Sequence, residues 1–396
     1  MVVSEYLTCN ICERKYRVRV GVGFDSYQKH YFDCSECEQP VVFALRAVAP
    51  NAHVEVVENC VLTQKPESDE ILNFHPNCAF TLDKLHHPFA FPSIEYQNMI
   101  QPHLRLVPGR IQDISTQFDI PNAPFLWSTL KSILSLEAKA ESSKALAKVL
   151  QRYETERKKS KPSFNLTKGE DILIEFFDGV FYPRVNDTFT PIKGVIDTLS
   201  EEGKLDDFYE YYNTNLKSEN LTRYLSAFSD YFKYRDHFGQ LSMHARVYDE
   251  NVDDRIISSK DFEAIKLYYG QVYESLTSNF TVLACLNNLL NGRAFDTFQR
   301  MNLNKYIKDV EKAKKHNPFA EQEEFNLFHE DLDSSLRNGS HHASVWRDGE
   351  KVIYRSGGTG AERDMSYSRY IHMSNKLTIS LAALFMVELY LVKKMT

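Results

Sequence analysis

The sequence lacks several features that would have placed it in a broad class at once. It has no excess of positive charge, because 47 lysines and arginines stand against 54 aspartates and glutamates, and this excludes a uniformly basic nucleic-acid coat. Its first residues contain no basic region followed by an apolar run, so we expect no secretory signal and a cytoplasmic location. The most apolar long stretch, 377–392, is shorter than the roughly 18 to 20 residues that span a bilayer and contains Glu388. We therefore expect a buried helix there and no membrane partner.

No fixed-period repeat is evident either, so a solenoid is not expected. Residues 1–62 are rich in β-branched and aromatic residues separated by glycines and polar turns, which predicts a small β-rich domain. Residues 63–120 carry many of the prolines, which favours an extended connector with short strands. Helical periodicity then predicts long helices and a linker over 121–190 and a helical domain over 191–396. The expected fold class is mainly α with a small N-terminal β-rich domain.

Breaks in the helical periodicity divide the C-terminal half into separate helices. They are predicted over 193–215, 219–238, 259–292, 296–315, 321–338 and 364–394. One stretch, 343–356, interrupts the helices with two short β-like runs around Asp348-Gly349, a pair suited to a tight turn. A hairpin is therefore predicted between the last two helices.

The chain has seven cysteines, which a reducing cytosol would keep as metal ligands or free thiols. Four of them form two C-x2-C pairs, Cys9 with Cys12 and Cys34 with Cys37. Two such pairs let four thiolates meet at one tetrahedral Zn²⁺, as in a zinc ribbon. Four sulfur ligands leave no open position for water, so the predicted zinc is structural and stabilises a domain too small for a large core.

The remaining thiols and several histidines have no comparable spacing. The three other cysteines, Cys60, Cys78 and Cys285, are expected to be buried free thiols. Four histidines are irregularly spaced and are expected to be ordinary surface residues rather than a second metal site: His30, His75, His86 and His87.

Near the end of the chain, RNGSHH gathers a fixed positive charge and two imidazoles at 337–342. Gly339 is well suited to end the helix there, and in an uninterrupted helix His341 rather than His342 would share the face of Arg337. A guanidinium can hold a phosphate, and an imidazole can move a proton at cellular pH. These groups suit cleavage of RNA, whose own 2′-hydroxyl is the nucleophile, so no catalytic metal is expected.

Arg337-Asn338-Gly339-Ser340-His341-His342 resembles the R-x4-H motif of HEPN domains, the higher eukaryote and prokaryote nucleotide-binding helical domains. The resemblance covers about residues 190–396. It implies a metal-independent endoribonuclease with Arg337 and His342 as catalytic residues, Asn338 as an orienting polar residue and His341 as a possible accessory. It further implies a homodimer or higher oligomer, with the arginine and histidine of two protomers meeting at the interface. By resemblance alone, the role would be antiphage defence, abortive infection or toxin-like growth arrest, with a possible regulatory partner protein.

A second interpretation stays open from the residues themselves. Arg337 and Asn338 can cap a helix while the histidines bond to loop backbone, and the chain is then a non-catalytic module that binds nucleic acid or protein. The zinc is structural under both interpretations.

A basic run on the predicted helix after Asn122 is a candidate RNA-binding surface, although a solvated helix face is the simpler interpretation. Its members are Lys144, Lys148, Arg152, Arg157, Lys158, Lys159 and Lys161, followed by Lys168.

Overall fold

The computed structural model describes residues 2–48, 50–105, 117–138, 143–165, 169–259, 261–341, 344–355 and 360–395. A β-rich part, about residues 2–81, is followed by a mostly helical chain, as the composition predicts. The strands of the β-rich part are β1 (Val2–Cys9), β2 (Lys15–Gly21), β3 (Tyr27–Asp33), β4 (Pro40–Val48), β5 (Asn51–Glu58), β6 (Cys60–Thr63), β7 (Glu70–Phe74) and β8 (Phe80–Thr81).

Two sheets face each other in the β-rich part. The first has the order β6-β1-β2-β7, antiparallel except for the parallel pair β2 and β7, and the second has the order β3-β4-β5. Along β2, Tyr16, Val18 and Val20 are buried and alternate with more exposed charged residues, the pattern of a sheet with one core-facing side. Because β7 comes from the proline-rich stretch, the β-rich part extends beyond residue 62.

Contacts with the helical chain fix the position of the second sheet. The Ser258 hydroxyl accepts a hydrogen bond from the Tyr31 N–H at 2.7 Å and donates to the Tyr31 carbonyl at 2.6 Å. Strand β8 pairs with β9 (Arg255–Ile256) of the helical chain. The apolar core of the sheets nevertheless remains separate from the main helical core.

The helical chain is built from helices of very different lengths. They are α1 (Leu82–Leu85), α2 (Pro92–Ile100), α3 (Ala123–Ala138), α4 (Ser143–Ser160), α5 (Gly169–Phe181), α6 (Arg184–Glu201), α7 (Asp206–Tyr211), α8 (Lys217–Lys233), α9 (Arg235–Arg246), α10 (Phe262–Leu290), α11 (Leu303–Asp309), α12 (Asn326–His329), α13 (Ser334–His341) and α14 (Tyr367–Met395). A π-helical turn, Tyr212–Leu216, joins α7 to α8, and 3-10 turns include Lys312–Lys314 between α11 and α12.

Four of the predicted helices are wrong in extent. The stretch 193–215 holds the end of α6, a break and then α7 with the π-helical turn, and 219–238 holds most of α8 and the start of α9. The stretch 296–315 holds only α11 and a 3-10 turn, and 321–338 holds a 3-10 turn, α12 and the start of α13. The reason for the late start of α11 is local, because the Asn302 side chain caps it by accepting from the Lys305 N–H. The long helices at 259–292 and 364–394 were predicted within a few residues of α10 and α14.

Helix α14 lies at the centre of the helical chain and packs against α5, α6, α7, α9, α10 and α12. Among the described residues it is the one helix long and apolar enough to cross a membrane, and 94% of its most apolar 18-residue window is buried inside the structure. The expected burial of this segment is confirmed. Its apolar character is accounted for by contact with six other helices.

The predicted hairpin is also present. Strands β10 (Val345–Asp348) and β11 (Lys351–Arg355) are antiparallel and turn at Gly349, whose φ is +56°. Strand β12 (Glu362–Ser366) pairs with β11 and leads directly into α14. This small sheet therefore sets the distance between α13 and the start of α14.

A carboxyl group is buried in the helical core at Glu388 of α14. It accepts hydrogen bonds from the Tyr224 hydroxyl at 2.6 Å, the Tyr212 hydroxyl at 2.9 Å and the Asn220 amide at 3.0 Å. Burial raises the pKa of Glu388 from 4.5 to about 7, although these three donors act in the opposite direction.

We expect Glu388 to make stability depend on pH. Because its folded-state pKa is raised, its contribution is fully present below about pH 4.5 and is lost as pH rises towards 7. Glu388→Gln, which cannot ionise, should therefore gain stability relative to the native chain across that window, by up to about 3 kcal/mol. Urea unfolding at several pH values measures the free energy of unfolding of both chains. If this free energy changes with pH in the same way in both, the prediction is refuted.

Candidate metal centre and candidate catalytic cluster

The four cysteines of the two C-x2-C pairs converge at one end of the two sheets. Their sulfur atoms all lie within 4.8 Å of one another. Cys9 Sγ lies 3.8 Å from Cys37 Sγ, and Cys12 Sγ lies 3.4 Å from Cys34 Sγ. A zinc ion with Zn–S bonds of about 2.3 Å needs sulfur atoms about 3.8 Å apart at the corners of a tetrahedron. The cluster therefore has the size that a tetrathiolate metal site requires.

The two pairs are held by turns of the same construction. In each turn the residue after the second cysteine has a positive φ, +62° at Glu13 and +57° at Glu38. The N–H of that residue donates to the carbonyl of the first cysteine, at 3.0 Å for Cys9 and 2.8 Å for Cys34. This repeated geometry turns both sulfur atoms of a pair towards the same point, so the ligand positions follow from local backbone structure.

Tyr16, a buried residue of β2 in the first sheet, contacts the cluster. Its hydroxyl donates to Cys34 Sγ at 3.0 Å and accepts from the Ser35 N–H at 2.9 Å. Burial raises the pKa of the Cys34 thiol, but this hydroxyl and backbone N–H groups of Cys37 and Glu36 outweigh burial and lower the pKa to about 6. Tyr16 and these N–H groups thus favour the thiolate of Cys34, the form in which cysteine binds metal, while the pKa values of its neighbours Cys12 and Cys37 are raised. The spacing of the cysteines gave no indication of this tyrosine.

Among the described residues, the other cysteines and the unassigned histidines do not form a second cluster of possible metal ligands. Cys60, Cys78 and Cys285 are buried free thiols, as expected. His30 and His75 are buried, which corrects their expected surface position. Burial lowers the pKa of His30 to about 3 and that of His75 to about 4. Both are therefore neutral parts of the core, and His86 and His87 are exposed.

Arg337 lies on α13, where this short helix packs against α10. The Asp333 carboxylate accepts from the backbone N–H groups of Ser335 and Leu336 and so caps the start of α13. Arg337 Nε donates to Glu274 Oε1 of α10 at 2.5 Å, and Nη2 forms an ion pair with the same oxygen. Arg337 Nη1 donates to Asn338 Oδ1 at 2.7 Å.

The guanidinium of Arg337 is thus held from two sides but remains accessible. Its side chain is 29% exposed, and three of its five N–H donors are engaged by Glu274 and Asn338. Within the part of the chain that the structure describes, the other two donors have no partner. Asn338 is the next residue in the chain, whereas Glu274 lies 63 positions earlier and gave no signal in the sequence.

Gly339 does not end the helix, which corrects the prediction made from its type. Helix α13 continues through it to His341, and the Ser340 hydroxyl donates to the Leu336 carbonyl in the manner of a helix interior. The glycine is required for a different reason. A Cβ atom at this position would overlap Cγ2 of Val345 in β10. The absence of a side chain lets the hairpin lie directly against α13.

We expect Gly339→Ala to destabilise the chain by about 1–3 kcal/mol, since the new methyl group must displace Val345 from a well-packed core. Gly194→Ala on α6 is a matched control, because nothing lies within 4 Å of a Cβ there and a helical alanine should stabilise by about 0.5–1 kcal/mol. Urea unfolding measures the change in the free energy of unfolding for both variants. Val345→Ala should recover most of the loss when combined with Gly339→Ala. Equal effects of the two glycine substitutions would contradict the packing argument.

The two histidines of the motif are described only in part. His341 is the last residue of α13, one helical turn after Arg337. His342 lies outside the described residues. The backbone path of α13 therefore places His341, rather than His342, in helical register with Arg337.

The basic run lies on α4 and the loop after it, where much of its charge is paired. Arg157 is buried and donates to Glu175 of α5 through Nη2 at 2.8 Å, and Lys161 binds the same carboxylate oxygen at 2.8 Å. Ion pairs also join Lys158 to Glu154 and Lys159 to Glu156, both at 2.7 Å.

Three other members of the run face solvent. They are Lys144, Lys148 and Arg152, and Arg152 lies over the Phe125 ring at 4.5 Å. Lys168 lies outside the described residues. Much of the run therefore holds α4 against α5 or pairs along α4 itself.

No protein-family model matches the chain, and neither a curated protein nor a solved structure resembles it at a significant level.

Proposed function

We propose that the chain is a metal-independent endoribonuclease of HEPN type, with a structural Zn²⁺ in its N-terminal ribbon. The observation that carries the proposal is how the Arg337 side chain is held and exposed. Its guanidinium is positioned by Glu274 and Asn338, is partly exposed, and lies one helical turn before a pair of histidines. A fixed cation and a titratable imidazole on one short helix are the two groups that RNA cleavage by its own 2′-hydroxyl requires.

In the proposed reaction a histidine imidazole removes the proton of the 2′-hydroxyl as that oxygen attacks the adjacent phosphorus. The bond from phosphorus to the 5′-oxygen of the next nucleotide breaks, and this oxygen takes a proton from the imidazolium of a second histidine. Arg337 holds the non-bridging oxygens, whose charge grows in the transition state. The products are a 2′,3′-cyclic phosphate and a 5′-hydroxyl. A second protomer would supply the other arginine and histidine, and a defence or growth-arrest role rests on the resemblance of the motif alone.

A non-catalytic binding module is the second candidate, and one observation favours it. The Glu274 carboxylate neutralises Arg337, and this ion pair joins α13 to α10 whether or not RNA is cleaved. Under that alternative Arg337 acts mainly in packing.

The two candidates differ in what they do to RNA. The purified protein is incubated with total RNA in EDTA, zinc retention is measured in the same sample, and the RNA ends are analysed. Fragments ending in 2′,3′-cyclic phosphate support the ribonuclease. Intact RNA that is nevertheless bound by the protein supports the binding module and overturns the catalytic proposal.

A further inference from the structure

Helix α10 is almost completely buried except for one narrow stripe. After Leu267, the residues that are not buried before the helix end are Gln271, Glu274 and Ser278. Their spacing of three and four residues puts them on one line along the helix surface. The stripe from Leu267 to Ser278 is therefore a single line about 16 Å long, exposed at Leu267 and half-buried at its other three residues.

Three cationic side chains from three different elements converge on the end of this stripe. Arg337 of α13 binds Glu274. Lys312, from the 3-10 turn after α11, donates to the Ser278 hydroxyl. Arg223 of α8 donates to Asn279 Oδ1 at 3.2 Å. Their α10 partners are separated by five residues, a rise of about 7.5 Å along the helix.

The partners of these cations do not balance their charge. Arg337 has the Glu274 carboxylate and Arg223 has Glu219, whose side chain is 69% exposed. Lys312 contacts a neutral hydroxyl. Burial lowers the pKa of Lys312, the carboxylates of Glu274 and Glu219 raise it, and the nearby charges of Arg223 and Arg337 lower it further. The ammonium group of Lys312 therefore lies partly buried beside two other cations, where an anion would relieve their mutual repulsion.

We propose that Arg223, Lys312 and Arg337 form a continuous track that binds successive phosphates of a single-stranded RNA on the α10 stripe. This inference rests on the proposed ribonuclease function and names where its substrate lies. Arg337 holds the scissile phosphate, and Lys312 and Arg223 hold neighbouring phosphates. Their α10 partners, Glu274, Ser278 and the buried Asn279, lie within about 7.5 Å along the helix, so one strand can reach all three cations. A single line contacts one strand, whereas a duplex presents two backbones across a groove.

The test measures binding without cleavage. A fluorescently labelled 2′-O-methyl RNA has no free 2′-hydroxyl and stays intact, so anisotropy reports affinity alone. Lys312→Gln removes the charge and keeps a group that can bond to Ser278. We expect Kd to rise roughly 10-fold and the slope of log K against log salt concentration to fall by about 1. Thermal melting confirms that the variant is folded.

Lys314→Gln is the matched control. Lys314 lies two residues away in the same 3-10 turn, is 62% exposed and pairs with Glu311, so the same loss of charge should change Kd less than about twofold. Equal effects of the two substitutions, or no binding by the native protein, overturn the track. Duplex RNA that binds as tightly and depends equally on Lys312 overturns the single-strand assignment.

The same measurements separate this inference from the proposed function. If the native protein leaves natural RNA intact while Lys312→Gln still weakens binding selectively, the ribonuclease proposal fails and the track remains as a binding site. If the native protein cleaves RNA and Lys312→Gln binds and cleaves like the native chain, the ribonuclease stands and the track is wrong.

Discussion

Cys34→Ser will unfold the β-rich part of the chain and leave the helical part folded. A structural zinc contributes about 10–16 kcal/mol in zinc-finger peptides at pH 7, and a whole domain is stable by only about 5–15 kcal/mol. Loss of one of four thiolates removes both a ligand and the sulfur that Tyr16 stabilises. The helical core is a separate cluster of buried residues and does not depend on the ion.

Metal analysis and hydrogen exchange measure this result. The native protein should hold about one zinc per chain, and the variant should hold far less. Backbone amides of β1 to β4 should lose protection in Cys34→Ser, while those of α10 and α14 keep it.

Cys60→Ser is the control for the ligand set. Cys60 is buried, lies opposite Cys9 in the pairing of β1 with β6, and donates to the Val42 carbonyl, but it is outside the four-sulfur cluster. Its substitution should leave zinc bound. A native protein without zinc, or a zinc content that falls equally in both variants, would show that the ligand assignment is wrong.

Arg337→Ala will reduce RNA cleavage by roughly 10²–10³-fold or more, the loss typical of one group that stabilises transition-state charge. Arg337→Lys should also be strongly impaired, because lysine keeps the charge beside Glu274 but cannot present the planar fork of donors. Cleavage rates are compared at saturating RNA, with thermal melting as the check on folding. Arg355→Ala is the control, since Arg355 is an exposed arginine of β11 paired with Glu362. Native cleavage by Arg337→Ala would remove the basis of the catalytic proposal.

The identity of the histidine is decided by a second comparison. In a continuous helix, His341 is rotated about 40° from Arg337 and His342 about 140°, and α13 is continuous through Gly339. The helix thus favours His341, whereas the resemblance to the R-x4-H motif assigns His342. Whichever of His341→Ala and His342→Ala causes the larger loss of cleavage identifies the catalytic residue. If neither substitution matters, the catalytic proposal fails.

The four-cysteine cluster could be predicted from the sequence because its geometry is local. Two residues between cysteines suffice to build each turn, and the same turn is used twice. The long helices α10 and α14 were predicted for a related reason, since their apolar periodicity extends over 29 residues each. Short elements such as α12 carry too few periods to be recognised.

Other features depend on residues far apart in the chain. The type of Gly339 suggested a helix end, but its role is set by Val345, which a hairpin brings against α13. The basic run on α4 suggested an open surface, but Glu175 of α5 neutralises two of its members. In both cases the residue type was compatible with two roles, and packing selected one.

The sequence by itself determined the four-cysteine cluster, the β-rich and helical parts and the buried last helix, because these follow from short-range spacing and from periodicity. Only the tertiary structure decided which charges meet at the candidate site. Glu274, Lys312 and Arg223 lie 63, 25 and 114 positions from Arg337, and they come together because α8, α13 and the 3-10 turn all pack against α10. The partner of a charged side chain is set by how such elements pack in space, and the spacing of residues along the chain does not specify it.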